Sequence, residues 1–531
     1  MGLRSLFGRS SKGAVVVRPR WWRYRYAILA LVLVVLAGIA VWFWKPWQQP
    51  PAPCGAGLTP VGSPQVCAGL DLDSTPFRPD DPLADLERAI ADQNAQISTD
   101  RFVTVVMLDD LSPDPASDSV AFQTVRHGVQ GAITGAWQAD NETTAAGKTP
   151  PVKLLLANLG SGGDDEQQAV DAIIANRDKQ HIVAVTDFGQ SLITTRKAAS
   201  DLSNAGIAGV GSLVTGDDMN QYPNDGDYIQ NFFRVGPTNT DAATAAVGYI
   251  ASHGYQKVML VDDTNKGDDY ASSLAQAFRT AYASQYQQQP LYSKEYPSPN
   301  TPLNDIGRTK FMQSLFGQMY DEICLAKPNL IYFAGRGVDL SSFLVALSQG
   351  GSCGLGTVDV MSGDDATAML TTSLPHFTDP RVQVFYTGLA TIGEWDASAP
   401  GEADDAANYQ AFLDVFTGKT PGSPGFGVPA DLVDGYVIMN HDAVLTAATA
   451  ARQNPAPVDN PTTVAGTIAS IDCLKPIPGA GGKIAFSSTS HGNPVDKPLP
   501  IMQITGSGPV QRDLVWSVPG APFDPALPEC R

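Results

Sequence analysis

From about residue 100 onward, short apolar runs bounded by turn-forming residues alternate with longer stretches whose apolar residues recur at helical spacing. Successive strand–helix units of a parallel sheet read this way, because a strand covered on both faces is apolar throughout and its flanking helix on one side only. Eight runs predict strands, at 102–108, 152–157, 181–186, 207–213, 257–262, 329–334, 357–361 and 382–387. Between them FQTVRHGVQGAITGAWQ (122–138), DEQQAVDAIIANR (165–177), TDAATAAVGYIASHG (240–254) and YASSLAQAFRTAYAS (270–284) predict helices. A short helical pattern starts at Pro82, a long helix is expected over 429–453, and GKIAFSSTSHG (482–492) reads as a hairpin. No short-period repeat is visible, which sets aside solenoids and propellers. Two α/β lobes fit the pattern.

The N-terminus follows a different rule. AILALVLVVLAGIAVWFW (27–44) is an unbroken apolar run, about 27 Å long as a helix and so just able to span a bilayer. Arg4, Arg9, Lys12, Arg18, Arg20, Arg23 and Arg25 precede it without an acidic residue, which predicts a cytoplasmic tail over 1–26 and an exported remainder. Trp21 and Trp22 on one side and Trp42, Trp44 and Trp47 on the other read as interfacial belts of a span that stays in place. The nearest small-x-small site, Gly38-Ile39-Ala40, lies inside the run, so the reading is an uncleaved anchor rather than a cleaved signal. The Pro/Gly-rich KPWQQPPAPCGAGLTPVGSPQVC that follows predicts a stalk over 45–100. The expected location is the cell membrane, single-pass, with the main domain outside.

Composition narrows the options further. With 531 residues, 43% of them hydrophobic, the chain can bury a large core. Its formal net charge of −19 argues against a nucleic-acid partner, whose phosphates it would repel. Cys54, Cys67, Cys324, Cys353, Cys473 and Cys530 all lie beyond the apolar run, and an even count in an oxidising compartment predicts three disulfides. Sequence order favours Cys54–Cys67, Cys324–Cys353 and Cys473–Cys530, each closing a local loop.

Catalytic and metal chemistry is not written in the chain. His127, His181, His253, His376, His441 and His491 form no close metal-binding pair, and no CxxC occurs. GQSLI lacks the second glycine of a nucleophile elbow, PGAGGKI lacks the spacing of a phosphate loop, and DDTNKGDDYASS lacks the closing glutamate of a calcium loop. NET at Asn141 fits a glycosylation acceptor. The expectation is a protein that is not an enzyme, with no cofactor and no metal.

FFRVGPTNTDAATAAVGYIASHGYQKVMLVDDTNKGDDYASSLAQAFRTA (232–281), IVAVTDFGQSLITTRKAASDLSNAGIAGVGSLVT (182–215) and GGKIAFSSTSHGNPVDKPLPIMQI (481–504) occur in an order that resembles the type I periplasmic binding proteins. The similarity runs over roughly 100–516 and is greatest toward the branched-chain amino-acid substrate-binding proteins of ABC transporters. It implies two Rossmann-like lobes joined by three crossovers, with a ligand cleft between them, preceded here by one transmembrane helix. Lobe 1 is expected from 101–238 and 363–477, lobe 2 from 239–362 and 478–516, and a C-terminal tail from 517–531.

In such a sheet a small ligand sits beyond the C-terminal strand ends. In DFGQSLITT, Gly189, Gln190, Ser191 and Thr194 offer N–H groups and hydroxyls suited to a carboxylate, although Ser191 serves equally well as a helix N-cap. GSLVTGDD adds Ser212 and Thr215, and the resemblance places a carboxylate-binding hydroxyl at Thr215. Asp364 aligns with the family's acidic residue for a ligand ammonium, with Asp365 the adjacent alternative. Lys266 and Arg336 stand where relatives carry aromatic residues; they point to a further anionic group on the ligand, or else pair with nearby aspartates. The resemblance implies an extracytoplasmic solute-binding protein that clamps an amino acid or related compound for an ABC permease. A sensor that passes ligand occupancy through the span to a partner is the alternative.

Overall fold

The computed structural model describes residues 54–530 apart from 63–64, 99–100, 115–117, 119, 143–145, 164, 224–225, 288, 300–304, 351–354, 372–378, 396–402, 454–459, 519–522, 524–525 and 527–529. All eight predicted strands form within them, in two sheets. The first contains β1 (Leu58–Val61), β2 (Val66–Leu70), β3 (Val103–Asp109), β4 (Val152–Asn158), β5 (Ile182–Asp187), β6 (Ala208–Gly211) and β7 (Phe232–Arg234), in the order β1-β2-β4-β3-β5-β6-β7. β3 to β7 pair in parallel, while β1 and β2 add an antiparallel edge. The second sheet takes β8 (Val258–Asp263), β9 (Tyr292–Tyr296), β10 (Leu330–Ala334), β11 (Val358–Ser362) and β12 (Val382–Thr387). A small hairpin, β13 (Ile477–Gly479) with β14 (Gly482–Ile484), precedes β15 (Pro498–Thr505) and β16 (Gly508–Trp516), which complete the second sheet as β16-β15-β12-β11-β10-β8-β9.

The apolar runs are apolar throughout because both faces are covered. In β3, Val103, Val105 and Met107 enter one core, while Val106 and Leu108 enter the core on the opposite face. β10 divides likewise, with Leu330 and Tyr332 on one side and Ile331 and Phe333 on the other. The chain passes from one lobe to the other three times: after β7, after β12 and after β14.

Several boundaries differ from expectation. The region expected as a stalk is, from Cys54 onward, part of the first lobe: the Cys54–Cys67 disulfide closes β1 onto β2, and β2 pairs with β4. The helix Ala84–Ala95 fastens it, Asn94 donating to the carbonyl of Leu154 at 2.8 Å and accepting from its N–H at 3.1 Å. Proline is tolerated there because Pro60 lies on the outermost strand. The lobe boundary at 363 fell one strand early, since β12 pairs with β11 in the second sheet. The expected 482–492 hairpin lies earlier: β14 pairs back with β13, and both belong with the first lobe, where Asp442 accepts from the N–H groups of Ala480 and Gly481 at 2.7 and 2.9 Å. The second lobe therefore resumes at β15 rather than at 478. The helix expected over 429–453 is a short turn, Pro429–Leu432, followed by a helix, Tyr436–Gln453. Gly435 breaks it with φ +82, and a Cβ there would meet the Ala390 carbonyl oxygen at 2.6 Å.

Cys473 and Cys530 form the second expected disulfide, tying down the C-terminal tail, and Cys324 is disulfide-bonded while Cys353 lies outside the described residues. So do the basic tail 1–26 and the apolar run 27–44. Among the described residues no helix is long and apolar enough to cross a membrane.

The helix Phe122–Asn141 packs on Tyr436–Gln453 through Gly128, Gly131 and Gly135, where a Cβ on Gly131 would lie 2.1 Å from the carbonyl oxygen of Val437. Gly131→Ala is expected to force these helices apart at a cost of roughly 1–3 kcal/mol. Gly248→Ala, on an exposed helix position with nothing within 4 Å, is expected to gain about 0.5–1 kcal/mol. Urea denaturation of the two variants checks both signs.

Candidate functional site

The C-terminal ends of the strands of both sheets face a crevice between the lobes. Its inner part is lined from the first lobe by Asp109, Thr124, Gly189, Gln190, Ser191 and Tyr436, and from the second by Tyr270, Arg336, Asp364 and Asp365. It leads to a wider recess bordered by Asp110, Asp118, Thr194, Lys266, Asp268 and Arg308, with Gln190 and Arg336 shared between the two.

The first-lobe wall is built by an unusual strand end. Asp187, Phe188 and Gly189 follow one another with φ of 76, 78 and 64, a region that costs side-chain-bearing residues about 1–3 kcal/mol each. Gly189 is required twice over, because a Cβ would also meet Asp109 Oδ1 at 2.6 Å. The strain is held by buried bonds: Ser212 Oγ donates to Asp187 Oδ1 at 2.7 Å and to Asn440 Oδ1 at 3.1 Å. Ser191 then turns inward. Its hydroxyl accepts the N–H of Gly216 at 3.0 Å and caps no helix, the following helix Ile193–Asn204 having no side-chain cap.

The second-lobe wall centres on Arg336. It donates to Asp268 through Nε at 2.6 Å and Nη2 at 2.8 Å, approaches Asp365 at 3.5 Å, and lies 4.7 Å from the Tyr270 ring centre. Nη2 also reaches the Ser191 carbonyl at 3.3 Å, and the Tyr270 N–H donates to that carbonyl at 3.2 Å, so the lobes meet on one backbone oxygen. Thr124 and Thr371 make a second bridge at 2.9 Å. Burial alone would lower the guanidinium's pKa, but Asp268 and Asp365 raise it above its usual value.

The carboxyls of the crevice are poised differently. Burial, then the charge of Asp365, pushes Asp364 from 3.8 up to about 7, and burial pushes Asp109 up to about 6. Burial raises Asp187 well above the usual range, with Asp109 adding to it. Among the described residues no group of three or more His, Cys, Asp or Glu is arranged to hold a metal ion.

Of the residues singled out in the sequence, Gly189, Gln190, Ser191, Arg336 and Asp364 line the inner crevice, and Thr194 and Lys266 are exposed on the outer recess. Ser212 and Thr215 line neither. Ser212 supports the strained strand end, and Thr215 is buried with its hydroxyl 3.5 Å from Asp364 Oδ1. Arg336 takes the aspartate pairing rather than standing open. Sequence reasoning missed Asp109 and Asp110, although two carboxylates at the C-terminal end of the first long strand were a signal, and it missed Asp268 and Tyr270 in DDTNKGDDY.

Solved structures share this fold. Leucine binding protein LivK from Thermotoga maritima MSB8 matches with a TM-score of 0.54 at 14% identity, over 78% of this chain and 98% of that one. LivJ from Streptococcus pneumoniae str. Canada MDR_19A, a branched-chain amino acid transporter substrate binding protein in complex with isoleucine, gives 0.55 at 15%, over 78% and 100%. A solute binding protein of an ABC transporter from R. palustris, in complex with benzoate, gives 0.53 at 12%, over 79% and 97%. No family model and no curated protein sequence matches the chain. The chain has the type I periplasmic binding fold, with two α/β lobes around a central crevice.

Two outcomes are expected here. Because folding raises the Asp364 pKa, the folded state binds that proton more tightly than the unfolded chain; its stabilisation is complete below about pH 4 and is lost as pH rises through about 7. Urea denaturation across that range should give a shallower decline for Asp364→Asn than for the parent, and an identical decline would remove Asp364 as a source. Arg336→Met strands Asp268 and Asp365 in the interior and should cost about 3–5 kcal/mol at pH 8, read as a fall in the denaturation midpoint.

Proposed function

We propose that this chain is a membrane-anchored extracytoplasmic solute-binding protein that closes its lobes around a small polar ligand, an amino acid or related compound, and delivers it to an ABC-type importer. The observation that carries the reading is the convergence of polar groups from both lobes on one crevice: Gln190 and Ser191 from the first, Tyr270, Arg336, Asp364 and Asp365 from the second. A ligand that touches both walls binds the closed state better than the open one, and that difference in affinity is the whole of the work. No bond is made or broken. The solved proteins of this fold named as leucine-binding or as complexes with isoleucine and benzoate support a small carboxylate-bearing ligand. The anchor reading rests on the apolar run 27–44 and the seven basic residues before it.

A thermal-shift screen of the full chain in detergent against amino acids, small peptides, polyamines, sugars and nucleobases tests the reading. A true ligand at 100 times its Kd should add about 2.7 kcal/mol. A panel without any shift would overturn it in favour of a partner-binding sensor or scaffold.

A further inference from the structure

Backbone as well as side chains pins the two lobes together inside the crevice. Leu192 and Asp268 form an antiparallel bridge from lobe to lobe, and next to it the Ser191 carbonyl accepts the Tyr270 N–H at 3.2 Å and Arg336 Nη2 at 3.3 Å. The inner part of the crevice, lined by Tyr270, Arg336 and Tyr436, keeps only about 20 Å³, room for roughly one water molecule. The outer recess, which Leu192, Asp268 and Arg336 also line, has about 760 Å³, within the roughly 300–1,000 Å³ of sites that enclose a drug-sized molecule. The usable space between the lobes lies in the recess, and it exceeds the needs of one amino acid.

The walls of the recess carry three kinds of group. Ile193 is 42% exposed; alone it would need no explanation, but Val120 and Leu192 from the first lobe and Pro299 from the second line the same recess. Thr194 and Thr264 present exposed hydroxyls from opposite lobes. Two of the three lining cations are committed within the chain, Arg336 to Asp268 and Arg308 to Asp339 through Nη2 at 2.8 and 2.9 Å and Nε at 3.1 Å. The third, Lys266, is exposed and makes no ion pair among the described residues. Asp110 and Asp118 line the first-lobe wall; burial, then the charges of Asp118 and Asp109, holds Asp110 well above the usual carboxylate range, which lessens the negative charge it presents.

We infer that the recess is the ligand seat and takes a short peptide, an apolar side chain lying against Leu192 and Ile193 and the C-terminal carboxylate against Lys266. This rests on the solute-binding reading and names its ligand class. Apolar contact supplies the affinity of such a site, and a small number of polar groups fixes the orientation. A peptide brings all the partners the recess calls for: side chains for the apolar patch, amide groups for the two hydroxyls, and an anion for the uncommitted ammonium. A simple fatty acid shares the apolar part and the carboxylate and leaves the hydroxyls facing hydrocarbon, which costs affinity.

Isothermal titration of the full chain in detergent with trileucine, trileucine amide, triglycine, leucine, isoleucine and hexanoate decides the matter. Trileucine should bind, and each of the others should bind more weakly by about tenfold or more. Ile193→Asp and Lys266→Glu change exposed positions, and each is checked for the parental thermal transition. Ile193→Asp should weaken trileucine about tenfold or more, and Lys266→Glu should do the same while leaving trileucine amide unchanged. Leucine, isoleucine or hexanoate bound as tightly as trileucine would overturn the peptide class and leave the solute-binding reading intact. Trileucine binding unaltered in both variants would overturn the assignment to the recess. If no member binds, the peptide class falls, and the thermal-shift screen separates the two readings: a shift with a sugar, polyamine or nucleobase keeps the solute-binding reading, and a panel without any shift removes it as well.

Discussion

A guanidinium that is only 5% exposed, placed where two lobes meet, can persist only if carboxylates close around it. Arg336 meets that constraint with Asp268 and Asp365, and each of these carboxylates also ends a helix. Asp268 accepts the N–H of Ala271 at the start of Asp269–Tyr286, and Asp365 accepts the N–H of Gly337 at the start of Gly337–Gln349. One ion cluster therefore aims two helices at the crevice, and its remaining reach goes to the Ser191 carbonyl on the opposite lobe. A guanidinium committed in this way to its own chain is poorly placed to act as an anion receptor, which shifts the electrostatic character of the site toward the carboxylates around it.

The opposite wall is built on backbone strain instead. Three successive left-handed residues, Asp187 to Gly189, end β5 in a sharp turn that sends Gln190 and Ser191 into the crevice. Such a turn survives because the surroundings over-determine it: Ser212 and Asn440 fix Asp187 from behind, and the glycine-mediated contact of Phe122–Asn141 with Tyr436–Gln453 holds Asn440 in place. The third passage between the lobes is anchored comparably, with fully buried Lys497 donating to the Gly481 carbonyl at 2.7 Å.

Much of this architecture was legible. Central strands such as β3, β8 and β10 announce themselves because burial on both faces demands continuous apolar sequence, and the helices between them because burial on one face demands a 3.6-residue period. The pieces that were misplaced lacked such a local signature. β1 and β2 lie in a proline- and glycine-rich segment and owe their structure to a disulfide and to the pairing of β2 with β4; β13 and β14 are three residues each. The break at Gly435 is set by the Ala390 carbonyl, which is remote in sequence.

The site divides in the same way. The sequence alone determined which loops carry polar groups to the strand ends, since the position of DFGQS after β5 and of DDATA after β11 follows from chain order and periodicity. Tertiary structure decided what those groups do. Whether Arg336 faces a ligand or an aspartate, whether Ser212 lines the crevice or props the turn behind it, and whether Asp109 stands alone or beside Asp187 depend on distances between residues far apart in the chain. Hydrophobic patterning is a property of neighbours along the sequence, whereas charge pairing is a property of neighbours in space.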